Sequence, residues 1–210
     1  MSKYHKIQTV FFRDPETKFR TLIDGAWATP EFEYLQYNPW IWTEKVDGTN
    51  IRVMWDGVSS VQFRGKTDNA QIYAPLVNRL QEQFPAERLS KKFKVIQVCL
   101  YGEGFGAKIQ KGGGNYKSDG VDFVLFDVRV GSWWLLREDV EDVAKFFQLP
   151  IVPTIGRGTL SEMVLKARCG FKSNWGNFPA EGIVARPEVE LSGRGGERVI
   201  TKVKTKDFRV

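Results

Sequence analysis

The sequence predicts an α+β fold. Three observations carry this reading. Short stretches alternate apolar and polar residues with period two, three segments show helical periodicity, and the two kinds are mixed without the strict strand–helix–strand order of a doubly wound sheet. Taken in order, residues 1–40 are aromatic-rich and irregular, with Phe11, Phe12, Phe19, Trp27, Phe32, Tyr34, Tyr37 and Trp40. They read as a flanking layer of short strands and turns, because about 40 residues rarely fold alone. Ile51, Val53 and Trp55 mark a half-buried strand, with Val61 and Phe63 as its hairpin partner across Asp56-Gly57. Leu76, Val77, Leu80 and Phe84 recur at helical spacing behind Pro75. Residues 93–101 and 121–130 read as buried strands, rich in Val, Phe and Leu. Val140, Val143, Ala144 and Phe147 mark a second helix. Thr159 and Glu162 form a capping-box signature opening a third through Leu160, Met163, Val164 and Ala167. Residues 183–186 and 198–208 read as further strands.

Composition bounds the function classes. The 210 residues suit one domain, 1–210, with 1–40 as a flanking segment and 41–208 as the core. Hydrophobic residues make up 42% and aromatics 13%, enough for a packed core and against disorder or coiled coil. No run approaches the roughly 18 apolar residues of a membrane span. The start, MSKYHKIQTV, lacks the apolar stretch of a secretory signal. Cys99 and Cys169 cannot build a disulfide scaffold, so a reducing, cytoplasmic setting is expected. Neither they nor His5 carry a functional signal. Thirty-one Lys and Arg against 25 Asp and Glu leave a net charge of +6, which keeps nucleic acid or phosphate ligands open.

The candidate chemistry lies in a few short segments. Lys45 sits in Glu44-Lys45-Val46-Asp47-Gly48-Thr49-Asn50, after the apolar Trp40-Ile41-Trp42 and before an Asp-Gly turn signal. A lysine leaving an aromatic strand is partly desolvated, which favours the neutral, nucleophilic amine. Read blandly, it only flanks a hairpin turn. Glu103, in Tyr101-Gly102-Glu103-Gly104, and Glu181, in Glu181-Gly182-Ile183-Val184-Ala185-Arg186, each fall beside glycine at the end of an apolar strand. Carboxylates there suit a divalent ion that also takes substrate phosphates. Lys202, Lys204 and Lys206 alternate with Thr201, Val203 and Thr205, so one strand face carries the lysines. Pattern alone reads that face as a solvated edge strand. The stretch 102–120 is glycine-rich with Lys108, Lys111 and Lys117. It is read either as a flexible surface loop or as a mobile loop that approaches phosphates. Together these residues suit nucleotidyl transfer: a lysine attacks while cations offset the charge of phosphate and pyrophosphate.

The ordered set Lys45-x-Asp47-Gly48, Tyr101-Gly102-Glu103, Phe126-Asp127, Glu181-Gly182-Ile183-Val184 and Lys202-x-Lys204 resembles the covalent nucleotidyltransferase superfamily of polynucleotide ligases and mRNA capping enzymes. Within it the chain is most similar to phage-type, nick-sealing RNA ligases, together with the related RNA-editing ligases. These carry Asn at the position of Asn50, where DNA ligases and capping enzymes usually carry Arg. The resemblance implies an adenylyltransferase domain of two packed, mainly antiparallel sheets flanked by helices, ATP-grasp-like, with the nucleotide between them. It implies ATP and Mg2+ or Mn2+ as cofactors, RNA with nicked or broken strands as partner, DNA as a further candidate, and a viral or phage origin.

Carried over residue by residue, it implies that Lys45 forms a lysyl–AMP phosphoramide and Glu103 contacts the ribose. Phe126 stacks on adenine. Glu181 supports the metal, with Asp47 and Glu103 as further candidate ligands. Lys202 and Lys204 hold the α-phosphate. Arg64 lies near the ribose or the nucleic-acid phosphate, Asn50 touches phosphate, and Glu44 frames the adenine pocket mainly through its backbone. Lys108, Lys111 and Lys117 are candidates for touching nucleic acid. The chain ends six residues after Lys204 (210 − 204), so the expectation is a catalytic domain without the C-terminal OB or helical domain of most relatives, and a helper domain or protein is left open. The competing readings are a minimal DNA ligase, a capping-type guanylyltransferase, and a non-catalytic RNA-binding module on the same fold.

Overall fold

Alternating Val, Ile, Phe and Trp build the strands of this chain, and amphipathic helices cover them. The computed structural model describes residues 3–193 and 195–208. In chain order it has β1 (Gln8–Thr9), β2 (Phe11–Arg13), β3 (Leu22–Trp27), α1 (Pro30–Tyr34), β4 (Trp40–Lys45), β5 (Thr49–Trp55) and β6 (Val61–Arg64). Then come α2 (Ala74–Gln83), α3 (Ala86–Phe93), β7 (Val98–Gly106), α4 (Gly113–Tyr116), β8 (Val121–Val130), β9 (Trp133–Trp134) and α5 (Arg137–Phe147). The chain finishes with β10 (Thr154–Gly158), α6 (Leu160–Cys169), β11 (Gly182–Pro187), β12 (Thr201–Lys204) and a 3-10 turn, Thr205–Phe208. The fold class is α+β, as the sequence predicts. Among the described residues no helix is long and apolar enough to cross a membrane. The chain divides into two compact units: His5–Val46 with Pro153–Val210, and Met1–Tyr4 with Asp47–Val152.

The first of these units carries a five-stranded sheet in the order β1-β12-β11-β4-β10. Its pairs are antiparallel except β1 with β12. The aromatic N-terminal stretch is therefore wired into the sheet through β1, while β2 and β3 form a separate two-stranded ribbon. Helix α6 starts at a complete capping box. Thr159 Oγ1 accepts from the Glu162 N–H at 3.2 Å, and Glu162 Oε2 accepts from the Thr159 N–H at 2.8 Å. The helix buries Leu160, Met163, Val164 and Ala167 in one core with Val10, Trp40, Trp42, Ile183 and Val203. The strand expected over 198–208 is shorter than its pattern suggests. Buried Asp207 accepts the Lys204 N–H at 2.9 Å and the Arg13 guanidinium at 3.1 Å, which turns the chain into the 3-10 turn directly after β12.

The second unit carries an antiparallel sheet in the order β6-β5-β7-β8-β9. Its core joins Ile51, Val53 and Trp55 to Leu76 and Leu80 of α2 and to Val140, Val143, Ala144 and Phe147 of α5. Aromatic rings interlock there in the edge-to-face geometry such pairs favour, Phe84 against Phe123 at 5.7 Å and 87°. The strand expected over 93–101 begins five residues later, at Val98, because helix α3 runs to Phe93. Leu89 and Phe93, four apart, bury on one side of that helix, and Lys91 and Lys92 occupy its last turn. With α1, α3 and α4 added, the described residues hold twice the three helices the periodicity predicts.

Asp122 ties the start of β8 to α2. It accepts from Arg79 Nε at 3.1 Å and from Lys117 Nζ at 3.2 Å. Burial alone would push its carboxyl up. The Arg79 guanidinium, the Phe123 N–H and the Lys117 ammonium outweigh that and hold it below the usual 3.8. A carboxyl depressed on folding adds stability above its unfolded value, near pH 4, and loses it as pH falls through the folded value. Urea midpoints measured from pH 6 down to pH 2 are expected to fall more steeply below about pH 4 in the natural protein than in Asp122→Asn. Parallel curves would contradict this.

Candidate active site

Three strands of the His5–Val46/Pro153–Val210 unit bring three of the sequence motifs side by side. Strand β11 pairs with β4, placing Gly182 opposite Lys45 and Ile183 opposite Glu44. On its other side β11 pairs with β12, placing Val184 opposite Lys202 and Gly182 opposite Lys204. The lysine on β4 and the lysines on β12 thus flank the strand that Glu181 precedes.

Glu181 is the centre of this arrangement. Its Oε2 accepts from Lys45 Nζ at 2.6 Å, and its Oε1 lies 2.6 Å from Lys204 Nζ. One carboxylate therefore holds two ammonium groups, one on each oxygen. Lys45 Nζ also donates to the Val46 carbonyl at 3.4 Å. The side chains of Lys45, Lys204 and Glu181 keep 21%, 25% and 12% of their exposure, so the charges are mostly buried yet reachable from solvent. On β12 the lysine face is as predicted: Thr201 and Val203 are buried while Lys202 and Lys204 are not. Two expectations are corrected. Lys206 leaves that face because it lies in the 3-10 turn, and β12 is no edge strand because β1 pairs along it.

Glu44 is almost fully buried, and its side chain has a partner the sequence gave no sign of. Its carboxylate accepts from Ser173 Oγ and from the Asn174 N–H at 2.8 Å, and Ser173 Oγ accepts in turn from the Trp175 N–H at 3.1 Å. This ties the segment that leads to Glu181 onto the strand that carries Lys45.

The Met1–Tyr4/Asp47–Val152 unit holds the other candidates. Asn50 on β5 faces Glu103 on β7 in register. Glu103 lies inside β7 rather than at a strand end, since the strand runs on through Gly104 to Gly106. Phe126 is half-buried on β8, and Asp127 beside it is fully buried. Tyr4, which the pattern did not single out, donates its hydroxyl to Asp127 Oδ2 at 2.9 Å and sets its ring edge-on to Phe126 at 5.2 Å. Arg64 is exposed at the end of β6, opposite Arg52. Arg52 is buried and grips the turn after Arg64 through the Gly65 carbonyl at 3.0 Å and Asp68 at 2.6 Å. The Asp47 N–H donates to the Tyr116 hydroxyl at 3.2 Å. In the glycine-rich stretch Lys108 and Lys111 are exposed, whereas Lys117 pairs with Asp122. Burial pushes the Cys99 thiol up to about 11, which keeps it protonated and unreactive at neutral pH.

Among the described residues no group of three or more His, Cys, Asp or Glu side chains could hold a metal ion. A carboxylate such as Glu181 suits a hard cation that takes most of its ligands from phosphates and water. The buried Glu44 bridge carries its own test. Glu44→Ala leaves the Ser173 hydroxyl and the Asn174 N–H without their acceptor, at an expected cost of about 1–3 kcal/mol in urea unfolding. Ser173→Ala should cost less, and the double variant less than the sum. Additive losses would contradict the bridge.

Comparison with known proteins bears on the family and the fold. The family model described as RNA ligase matches residues 38–204. The solved structures it is similar to include Naegleria gruberi RNA ligase with PPi, at TM-score 0.67 and 19% identity, covering 97% of this chain and 56% of that one. A mutant of that ligase without ligand matches at TM-score 0.65 and 19% identity, over 84% of this chain and 52% of that one. A mutant with ATP and Mn matches at 0.64 and 20%, over 83% and 52%. The chain thus spans about half the length of the solved ligases it matches. No curated protein matches it. A motif order that the family model spans from 38 to 204, on a fold shared with a solved RNA ligase, places this chain in the RNA ligase family.

Proposed function

We propose that this chain carries the nucleotidyl-transfer chemistry of an ATP-dependent RNA ligase that joins 3′-hydroxyl and 5′-phosphate ends. The observation that carries the reading is the Glu181 carboxylate shared by Lys45 and Lys204 on strands flanking β11. A relative of the same fold has been solved with ATP and Mn and with PPi, which supports a nucleoside triphosphate as donor.

In the first step Lys45 passes its ammonium proton to Glu181 Oε2, with which it is in hydrogen-bond contact, and the freed Nζ attacks the α-phosphorus of ATP. A P–N bond forms, the P–O bond to pyrophosphate breaks, and the second nitrogen proton leaves to water. In the second, a 5′-phosphate oxygen of the RNA attacks the lysyl–AMP phosphorus and releases the lysine. In the third, the 3′-hydroxyl attacks the activated 5′-phosphate and expels AMP. Lys204 and Lys202 offset negative charge at the α-phosphate. A divalent ion, Mg2+ or Mn2+, would be supported by Glu181, with Asp47 and Glu103 as further candidates, and would neutralise charge on the phosphates and on leaving pyrophosphate. Phe126 offers a stacking face for adenine, Glu103 a ribose acceptor, and Asn50 and Arg64 contacts to phosphate or sugar. Glu44 frames the base through its backbone while its side chain fixes the neighbouring segment. Lys108 and Lys111 are the exposed cations of the glycine-rich stretch available to an RNA backbone. The two free cysteines suit a cytoplasmic setting.

Incubation with α-labelled ATP and magnesium, followed by denaturation, is expected to leave label on the protein. Lys45→Ala should take none, and Lys204→Ala should label about 10²–10³-fold more slowly. Unlabelled natural protein, or label on Lys45→Ala, would overturn the reading. Nicked duplexes with RNA strands should be sealed faster than all-DNA nicks, and the reverse order would favour a DNA ligase.

A further inference from the structure

The glycine-rich stretch after Glu103 is a built strap rather than a free loop. Ile109 is 5% exposed and sits in the core of its unit. The backbone closes on itself where the Ala107 N–H donates to the Gly120 carbonyl at 2.9 Å and the Ile109 N–H to the Gly106 carbonyl at 3.1 Å. Gly113 lies so close to Gly106 that any Cβ would strike the Gly106 carbonyl oxygen. Lys117 is held by Asp122 at 3.2 Å.

The strap also meets the Asp47-Gly48 turn, at Asp47. Tyr116 accepts the Asp47 N–H at 3.2 Å, its ring is held 6.2 Å from Phe105, and Gly112 lies next to the Asp47 carboxylate. From the other side the turn rests on β7. A Cβ on Gly48 would meet the Gly104 carbonyl oxygen and would come within 2.8 Å of Glu103 Cγ. The turn two residues after Lys45 is thus clamped between the strand of Glu103 and the hydroxyl of Tyr116.

We propose that Tyr116 is a positioning residue for the lysine-transfer step, acting through the Asp47 backbone without touching nucleotide. The proposal rests on the nucleotidyl-transfer reading above. It predicts that the turn loosens when the hydroxyl is removed, while the ring and its packing on Phe105 stay. The loss should slow formation of the covalent adduct without weakening nucleotide binding, because no contact to nucleotide is removed.

The test uses Tyr116→Phe, with Asn115→Ala, an exposed neighbour on the same strap, as control. Two readouts are needed: amide hydrogen exchange at Asp47, and single-turnover labelling from α-labelled ATP across a range of ATP concentrations. Loss of the hydrogen bond from the Asp47 N–H to the Tyr116 hydroxyl predicts about tenfold faster exchange at Asp47 and an about tenfold lower maximal labelling rate. The ATP concentration giving half-maximal rate should stay unchanged, and Asn115→Ala should behave as the natural protein. Unchanged exchange in Tyr116→Phe overturns the clamp. Faster exchange with an unchanged labelling rate overturns the positioning role, as does a change in half-maximal ATP alone. Absence of label on the natural protein overturns the nucleotidyl-transfer reading and the role with it, an outcome distinct from a labelled natural protein with an unaffected variant.

Discussion

Everything proposed for this protein depends on one carboxylate held between two ammonium groups. Glu181 receives Lys45 from one neighbouring strand and Lys204 from the other, at 2.6 Å each. Mostly buried charges of this kind are costly to isolate and stable only as a set. The strand register in turn holds the cluster together, placing Gly182 opposite both Lys45 and Lys204. The cluster's charge is also suited to change. Under the proposed function, a triphosphate entering beside it would offer the lysines new partners and leave the same carboxylate to receive a proton or support a cation.

The supporting structure is mostly unglamorous hydrogen bonding. Asp207 ends β12 by accepting the Lys204 N–H, and Arg13 holds Asp207 in turn. Glu44 uses its buried carboxylate to anchor the segment before Glu181. In the other unit, Tyr4 braces Phe126 and Asp127 from the N-terminus, and Arg52 braces the turn after Arg64. Asp207, Tyr4 and Arg52 each fix a residue proposed to meet the ligand, or the turn beside one, without being proposed to meet it themselves, which is how a site keeps its geometry before substrate arrives.

The parts legible in the sequence were those with local causes. The strand at Val121–Val130 followed from a dense Val, Phe and Leu run, and α6 from its capping box and apolar stripe. The lysine face of β12 followed from period two. Helix α3 was hidden because few of its residues are apolar, and four charged side chains surround them. The glycine run after Glu103 suggested flexibility, yet glycine there serves close approach as much as freedom, as Gly113 against Gly106 shows. Non-local pairings were beyond pattern: nothing near Gln8 announces that it will lie along Thr201, and nothing near Asp207 announces Arg13. The motif order named the candidate residues. The resemblance gathered Lys45, Glu181 and Lys204 at one nucleotide, but which strands stand side by side, and that one carboxylate holds both lysines, came only with the fold.

The central claim is that Lys45 is a covalent nucleotide carrier, and intact-protein mass measurement with peptide mapping after incubation with ATP and magnesium tests it most directly. The account predicts a mass increase of one adenylyl group, located on the peptide containing Lys45 and removed by added pyrophosphate. An unmodified mass, or an adenylyl group mapped to another residue, would contradict it.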